Sequence, residues 1–455
     1  MAHLLVARTR HQKPSDQGVR PRPHAAGIDV ERLSGRGQVA ALEPEWRALA
    51  DAGAPLNPYA SPDWTLPWLD RAVTERESAV LTVRRDGRLL GLAPFYLRTV
   101  GRLARTAQLA GTARLGTLTE LPQVLVAPGQ TRPVLRAVVE HWLAAPDPWD
   151  WLELPLAAQQ GWFEPQWLGE GRAVRGLVQH KTTRAAVVLA LPEPGAGLRS
   201  VLKRNVWESV KRGRNRLTGS GRGWEITAHD TETGVRAALP VLRRLHAERS
   251  LMSGARAHPD VLADPSSRAF LGEAACRMAA AGRAEVLTLT VDGTAIAALL
   301  VLRSRSAAYL ALSGVDPAWW STGPVTLLQH AAMERALERG DTEVNLSIGP
   351  DVSKLRWSEQ VVQHPEFVVC GPRARSRVLL SGYAALASVA AVRREAARHQ
   401  VRERGTAANG AGAAAGRTAT AGSGARSAST PSTPSTRSAT SGASTPSGTS
   451  AGERS

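Results

Sequence analysis

The sequence predicts a mixed α/β (α+β) protein made of two tandem halves that share one fold. Three observations lead to this prediction. Residues 307–357 read as a strand, a helix and a second strand, with glycine-containing turns between them. A hairpin pattern at residues 80–90 recurs at residues 286–296, and an internal repeat of this kind indicates a duplicated fold. At 455 residues, the chain is also long enough to bury two cores.

The stretch around which the chain is organised is a predicted β-α-β unit. Its strands are the apolar runs Ala307–Leu312 and Glu343–Ile348. Residues 313–317 contain Ser, Gly, Asp and Pro and predict a turn directly after the first strand. The helix is predicted over Val325–Arg339, because apolar side chains recur on one of its faces and Gly340 follows as a typical left-handed C-terminal residue.

The start of that helix is a candidate anion site. Ser321, Thr322, Gly323 and Val325 surround Pro324, whose missing amide has no partner at a first helical position anyway. Free amides and the positive end of a helix can cradle a phosphate or pyrophosphate. Ordinary helix capping explains the same residues without a ligand, so both interpretations stay open here.

The first half is predicted to hold three helices and five strands. Helical periodicity indicates the helices, and short apolar or β-branched runs indicate the strands. Asp86-Gly87 between two such runs is a strong hairpin signal. The elements in order are a helix at Glu43–Ala52, a helix from Trp64, strands at Ala79–Val83, Leu89–Tyr96 and Val124–Val126, a helix at Val134–Ala144, and strands at Trp151–Leu154 and Ala185–Leu191.

The second half begins with a predicted basic helix, Leu198–Leu217, whose apolar stripe is surrounded by lysines and arginines. Asp292-Gly293 predicts a second hairpin, which matches the first position by position. The remaining elements before the central unit are a strand at Trp224–Ala228, helices at Val235–Arg249 and Ser267–Ala281, and strands at Glu285–Val291 and Ala295–Leu302. A late helix is predicted over Ala384–Arg402.

These elements divide the chain into five predicted parts. Residues 1–27 are a disordered basic leader, 28–192 the first half, and 193–375 the second half. Residues 376–404 hold the late helix, and 405–455 form a tail of Ala, Gly, Ser, Thr and Pro. Such a tail cannot bury enough apolar surface to offset the entropy lost on ordering, so it is predicted to be disordered.

Charge and cysteine content narrow the function classes. The net charge is +17, but +4 of it lies in residues 1–27 and another +4 in residues 401–455. The remaining charge is compatible with an anionic ligand and does not require one. Two cysteines without metal-like spacing indicate a reducing compartment, and neither Leu4–Ala7 nor Val378–Val392 suffices for a signal peptide or a membrane span. A cytoplasmic protein is therefore predicted.

Several catalytic signatures are missing from the sequence. It contains no His-x-x-x-His or Cys-x-x-Cys metal site, no Gly-x-Ser-x-Gly elbow and no Walker sequence. Metal-dependent, serine-hydrolase and NTPase functions thus have no support.

Several short segments together resemble the CelD/BcsL-type acyltransferases, FemAB-related members of the GNAT superfamily. The segments are Ser61-Pro62-x-Trp64, Leu245-His246-x-x-Arg249, the Asp292-Gly293 hairpin, Gly314-Val315-Asp316-Pro317, and Gly349 with Lys354 and Trp357. The resemblance implies two tandem GNAT-like halves with the acyl-CoA N-acyltransferase fold. It further implies that the second half binds acetyl-CoA or another acyl-CoA as co-substrate, with the pyrophosphate on Ser321, Thr322, Gly323 and Val325.

The resemblance also implies acyl transfer to an amine or hydroxyl, often in cell-envelope or polysaccharide metabolism, so a small molecule or glycan is the expected acceptor. Three features depart from the family pattern. Gly323 precedes Pro324 instead of following a proline, the aspartate of the strand before Gly349 is Asn345 here, and the aromatic residue before the lysine is Ser353. Since Asn345 cannot ionise, a proton acceptor is not expected at that position.

Three residues are predicted to carry the chemistry. His246 is the candidate general base, because a neutral imidazole can accept a proton near pH 7. Tyr309 could protonate the leaving thiolate, and Lys354 could support an anionic ligand or transition state. Each also has a structural explanation: a helix histidine with its hydrogen bonds satisfied, a packed strand tyrosine, and a solvated loop lysine.

Two alternative functions remain open at the level of sequence. The same fold could use aminoacyl-tRNA as donor, with the basic residues between Lys203 and Arg216 gripping RNA phosphates. The departures at Gly323-Pro324 and Asn345 would also suit a binding module without catalysis. A nucleic-acid partner is otherwise not expected, and no metal cofactor is predicted.

Overall fold

The structure, a computed structural model, describes residues 27–33, 35–52, 57–115, 118–145, 148–156, 178–193, 195–252 and 258–389. All of them lie in one compact unit of the chain, Met1–Val392. The predicted leader except Gly27, the predicted tail and the end of the predicted late helix lie outside the described residues.

The described chain contains both helices and strands in each half. The helices are α1 (Arg36–Ala41), α2 (Glu43–Ala52), α3 (Pro62–Ala72), α4 (Thr131–Ala144), α5 (Arg204–Gly219), α6 (Glu232–Ser250), α7 (Pro265–Ala280), α8 (Pro324–Glu338), α9 (Val352–Leu355) and α10 (374–389). The strands are β1 (Ile28–Leu33), β2 (Ser78–Arg85), β3 (Arg88–Val100), β4 (Ala104–Leu109), β5 (Leu125–Val126), β6 (Trp151–Pro155), β7 (Val178–Ala190), β8 (Trp224–His229), β9 (Ala284–Val291), β10 (Thr294–Arg303), β11 (Ala307–Val315), β12 (Glu343–Ile348) and β13 (Val361–Cys370).

All thirteen strands join one sheet. Their order is β1-β2-β3-β4-β6-β13-β7-β12-β11-β10-β9-β8, with β5 paired to β3 at the side. Counted inwards from the two edges of the sheet, the strands of each half follow in chain order: β1, β2, β3, β4 and β6 from one edge, and β8 to β12 from the other. The two sets meet at β13 and β7. Each half contributes its last strand to the other half, since β7 pairs with β12 and β13 pairs with β6. The sheet therefore joins the two halves without a break.

The two hairpins are alike in detail. Asp86 and Gly87 have φ values of 51° and 78°, and Asp292 and Gly293 have 47° and 75°. Positive φ at both central residues matches the right-handed twist of the flanking strands. Each hairpin also skips one residue at the same place: Leu90 falls between paired residues of the first hairpin, as Ile296 does in the second. The repeated bulge supports a duplicated fold.

Side-chain hydroxyl and carboxylate groups start the helices that cover the second half. The Thr231 hydroxyl accepts the Gly234 amide at 3.1 Å at the start of α6. The Asp264 carboxylate accepts the Ser267 amide at 2.8 Å at the start of α7. These bonds satisfy amides that have no helical acceptor. The sequence prediction of both helices is confirmed.

The second half of the sheet is covered on both faces. On one face, α6 and α7 contribute Leu242, Leu245 and Phe270 to a core that continues into the first half. On the other face, α5 and α8 pack through Val206, Val210 and Leu328. Alternate residues of β9 to β12 enter the two cores, as expected for strands buried on both sides. In the chain, α8 and α9 follow the carboxyl ends of the neighbouring strands β11 and β12.

Some boundaries differ from the sequence prediction. Residues 313–315 continue β11 instead of forming a turn, because Ser313 and Gly314 pair with Leu299 and Ala298 of β10. The basic helix begins at Arg204, because Lys203 has extended dihedral angles and Leu198–Ser200 forms a separate 3₁₀ turn. Strands β1, β4 and β13 were not predicted. No helix in the described ranges is long and apolar enough to cross a membrane.

Candidate functional site

Strands β11 and β12 part from each other near their middle. They pair in parallel only from Ala307–Tyr309 against Glu343–Asn345. Beyond this point β11 stays on β10, while β12 bends at Ser347 (φ 77°) and ends on β7, where Ile348 pairs with Ala186. We call the opening between the two strand ends the split. Ligands of open α/β sheets commonly bind at such carboxyl ends of strands.

The first turn of α8 lies in the crossover between these two strands. A 3₁₀ turn, Pro317–Thr322, leads to Gly323, which has a φ of 71° and is followed by Pro324 as the first helical residue. The Gly323 carbonyl accepts the Thr326 amide at 3.0 Å. The Thr322 hydroxyl donates to the Trp319 carbonyl at 2.7 Å, so it stabilises the turn. The predicted anion-binding residues are thus adjacent to one another at a helix N-terminus.

Two arginines flank this turn. The Arg356 Nη2 donates to the Thr326 hydroxyl at 2.9 Å, and its buried Nε makes no hydrogen bond to any described residue. Burial lowers the pKa of Arg356, and none of the described carboxylates lies within ion-pair distance of it. From α5, the Arg216 guanidinium donates to the Ser321 carbonyl. A half-buried cation without a counter-ion favours a bound anion at this place.

His246 lies on α6 behind β11 and is fully buried. Its Nδ1 lies 3.0 Å from the Ser313 carbonyl oxygen, which can only accept, so Nδ1 carries the proton. The Val261 amide then donates to Nε2 at 3.4 Å. Burial lowers the pKa of His246, which keeps the ring neutral. Both ring nitrogens are thus engaged with the backbone, and the base role of His246 stays a prediction.

Tyr309 and Lys354 lie at the split itself. Tyr309 is the last β11 residue paired with β12, and burial raises the pKa of its hydroxyl. Its ring meets Tyr59 of the first half edge to face, with 6.1 Å between ring centres. The Lys354 Nζ donates to the carbonyls of Ile348 and Gly349, the latter at 3.1 Å. The ammonium of Lys354 is therefore held over the end of β12.

One residue at the split was missed by the sequence analysis. Glu120 belongs to the loop between β4 and β5 of the first half, is 9% exposed, and accepts a hydrogen bond from the Ser347 hydroxyl. Burial raises its pKa to about 7, against the opposing effects of the Ser347 hydrogen bond and the Lys354 charge. Nothing in the sequence links this loop to β12, because the two are more than two hundred residues apart.

A further group lies beside the split. The Arg249 Nη1 donates to the Ser313 hydroxyl at 2.7 Å, and the His258 ring meets the His246 ring edge to face at 4.9 Å. Burial, with the nearby Arg249 charge, lowers the pKa of His258 to about 4. The arginine of the Leu-His-x-x-Arg segment is thus placed near the site. Among the described residues, no group of His, Cys, Asp or Glu side chains could hold a metal ion.

Comparisons with known proteins bear on the second half most directly. Residues 204–355 match the family model described as Acetyltransferase (GNAT) domain, so this part of the chain is similar to GNAT acetyltransferase domains. A comparison with the curated proteins finds no match.

Solved structures resemble the chain over most of its length. The crystal structure of FemX has 11% identity and a TM-score of 0.53, covering 72% of this chain and 96% of that chain. A conserved protein of unknown function from Bacteroides thetaiotaomicron VPI-5482 has 12% identity and a TM-score of 0.48, covering 72% and 97%. A tandem GNAT protein from the clavulanic acid biosynthesis pathway has 15% identity and a TM-score of 0.40, covering 75% and 98%. At such identities the likeness to FemX concerns the fold alone, and the predicted mixed α/β fold is confirmed.

Proposed function

We propose that this protein transfers an acyl group from acetyl-CoA or another acyl-CoA to an amine or hydroxyl of a small molecule or glycan. The observation that carries the proposal is the first turn of α8, which opens beside the split and is flanked by Arg356 and Arg216. The segments that resemble CelD/BcsL-type acyltransferases extend the proposal to cell-envelope or polysaccharide acceptors.

The pyrophosphate of the donor would bind at the α8 start. The Val325 amide offers a hydrogen bond, whereas the Thr326 and Leu327 amides already donate to the Gly323 carbonyl. The helix dipole also favours negative charge there. Arg356 adds a guanidinium that has no counter-ion among the described side chains. Pro324 offers no amide, so the arginine compensates for one missing donor.

The thioester would enter the split between β11 and β12. There Tyr309 could give a proton to the departing thiolate, since its raised pKa keeps the hydroxyl protonated. Lys354 would stabilise negative charge as it develops on the thioester oxygen. His246, behind Ser313, would hold one wall of the split in position.

Transfer from aminoacyl-tRNA is a second candidate because of the surface of α5. This helix buries Val206, Val210 and Leu217 and exposes Arg204, Lys211, Arg212 and Arg214 to solvent. Such a face can bind phosphates, and it is equally the normal solvated face of an amphipathic helix. We favour acyl-CoA because Arg356, at the α8 turn, has no counter-ion among the described carboxylates.

Calorimetry with acetyl-CoA tests the proposal. We expect Arg356→Gln to weaken binding by about 10-fold or more, because a charge-assisted hydrogen bond is lost. Arg243→Gln, an equal charge change at an arginine of α6, is the matched control. Equal affinities of the wild type and Arg356→Gln would remove the assigned donor site. An absence of wild-type binding, together with no thiol release in the presence of acceptors, would contradict acyl-CoA as donor.

A further inference from the structure

Glu120 crosses from the first half into the site of the second half. It sits in the loop after β4, yet its carboxylate accepts the Ser347 hydroxyl of β12. It also lies within electrostatic range of Lys354 and Tyr309. A carboxylate with only 9% exposure is costly to bury, so its presence at the split calls for a function.

The loop around Glu120 is rigidly held on both sides. The Trp64 Nε1 donates to the Thr119 hydroxyl at 2.8 Å, and the Asn57 Nδ2 donates to the Leu121 carbonyl at 2.5 Å. The Glu120 carbonyl itself accepts from Arg184 Nη1 at 3.0 Å. Each residue from 119 to 121 is therefore fixed by a different partner, as a positioned catalytic group requires.

Tyr59 lies directly beside this carboxyl group. Its side chain is buried, and its hydroxyl is close enough to Glu120 to act on it as a hydrogen-bond donor, which lowers the pKa of the carboxyl, while burial raises the pKa of Tyr59 itself. A ligand group that reaches the split therefore meets a carboxylate and a phenolic oxygen side by side.

We propose that Glu120 is the proton acceptor for a primary amine substrate, whose ammonium group binds beside Glu120 and Tyr59. This inference rests on the proposed acyl transfer. The ammonium donates one hydrogen bond to the carboxylate and one to the tyrosine hydroxyl. An amine suits the site better than an alcohol, because an ammonium can both pair with the buried carboxylate and give it a proton.

The reaction then follows with balanced protons. The ammonium gives one proton to Glu120, and the lone pair of the neutral amine attacks the thioester carbon. The new C–N bond forms, the C–S bond breaks, Tyr309 protonates the thiolate, and the second proton of the nitrogen replaces the one that Tyr309 gave, giving an amide and a free thiol. Glu120 returns its proton to solvent. A carboxyl with a pKa of about 7 can accept and release that proton near neutral pH.

Three matched pairs of acceptors test the substrate class with acetyl-CoA as donor. The pairs are glucosamine and glucose, ethanolamine and ethylene glycol, and lysine and norleucine. The first member of each pair carries an amine that the second lacks, and norleucine lacks only the side-chain amine of lysine. We expect thiol release with at least one amine and N-acetylated product by mass spectrometry. Thiol release with glucose or ethylene glycol and with none of the amines would overturn the inference.

Variants of the wild-type protein test the role of Glu120. In Glu120→Gln we expect kcat to fall by about 100-fold or more, with acetyl-CoA affinity unchanged and the limb near pH 7 lost from the kcat/KM profile. Glu120→Asp should restore part of the rate. Tyr59→Phe should raise KM for the amine more than it lowers kcat. Glu225→Gln, at an exposed carboxylate of β8, is the control; unchanged kcat in Glu120→Gln would exclude a catalytic role.

A measurement without acyl-CoA separates this inference from the proposed function. With ¹³C-labelled glutamate, the Glu120 carboxyl signal is identified by its absence in Glu120→Gln. We expect it to titrate near neutral pH and to shift when one of the three amines is added. Such a shift in a protein that fails to bind acetyl-CoA would retain the amine site and reject the donor. No shift with any of the three amines would reject the amine site, even where acetyl-CoA binds.

Discussion

The backbone nitrogen of His246 lies 2.5 Å from the place where a Cβ atom at Gly314 would stand. The carbonyl carbon of Leu245 is almost as close, at 2.6 Å. Helix α6 and strand β11 therefore touch backbone to backbone at this point. The His246 ring extends the contact by its hydrogen bond to the Ser313 carbonyl. One wall of the split is built on this pair of residues.

Gly314→Ala should lower the free energy of unfolding by about 2–3 kcal/mol, because the added methyl group forces β11 and α6 apart. Urea denaturation measures the change. Gly272→Ala is the matched control: that glycine lies inside α7, has open space around it, and should gain about 0.5–1 kcal/mol. Equal effects of the two substitutions would contradict the close contact.

His246→Gln distinguishes a structural histidine from a general base. Losing the bond to Ser313 should cost about 1–3 kcal/mol of folding stability. In the folded variant we expect the limb of the kcat/KM profile near pH 7 to persist, since Glu120 is the proposed base. If this limb vanishes in His246→Gln and survives in Glu120→Gln, the base role predicted from the sequence belongs to His246.

Gly323→Asp should weaken acetyl-CoA binding by about 10-fold or more without unfolding the protein, because the new carboxylate repels the pyrophosphate. Aspartate tolerates the left-handed conformation at this φ of 71° better than most residues. The control is Gly340→Asp at the other end of α8, where φ is 78° and nothing lies within 4 Å of an added Cβ. Calorimetry and a melting curve are the measurements, and similar affinities of the two variants would argue against the site.

Replacing Arg204, Lys211 and Arg212 by Gln tests the tRNA alternative. Lys203 and Arg216 are left unchanged, because they bond to Leu355 and Ser321. We expect acyl-CoA turnover to stay within about twofold, because these side chains are exposed to solvent.

Binding of bulk tRNA at two salt concentrations completes that test. Arg76, Arg88 and Arg102, exposed in the first half, provide a control triple with the same charge change. The result that would favour aminoacyl-tRNA as donor is tight wild-type binding that only the α5 variant loses. In that case the slope of log K against log salt concentration should become smaller by about one unit per lost phosphate contact.

Stability should fall in acid through His364. Burial, with the charge of Arg184, lowers the pKa of His364 from 6.5 to about 4. The folded state keeps the ring neutral, whereas the unfolded chain takes up a proton below pH 6.5. The free energy of unfolding is therefore at its full value above pH 6.5, as far as His364 is concerned, and decreases as the pH falls towards 4. The slope is at most about 1.4 kcal/mol per pH unit. Urea denaturation between pH 7 and 4 should give a shallower decline for His364→Gln; parallel declines would contradict the shift.

Local chemistry in the sequence was sufficient for many elements. Helix α2 spans Glu43–Ala52, as its apolar spacing predicts. Both Asp-Gly pairs form the predicted hairpins, because positive φ is required at the two residues of the turn itself. Helix α8 begins one residue earlier than predicted, at Pro324. In each case the deciding residues are neighbours in the chain.

The tertiary structure decided what depends on distant neighbours. Gly314 was interpreted as a turn residue, but its lack of a side chain serves the contact with α6. The exchange of β7 and β13 and the approach of Glu120 to Ser347 were not predicted at all. Periodicity and turn propensity act over a few residues, whereas strand pairing and the burial of a carboxylate depend on which segments meet in space. The sequence by itself determined most of the elements and the fold class, and only their packing brought the two halves together around Glu120.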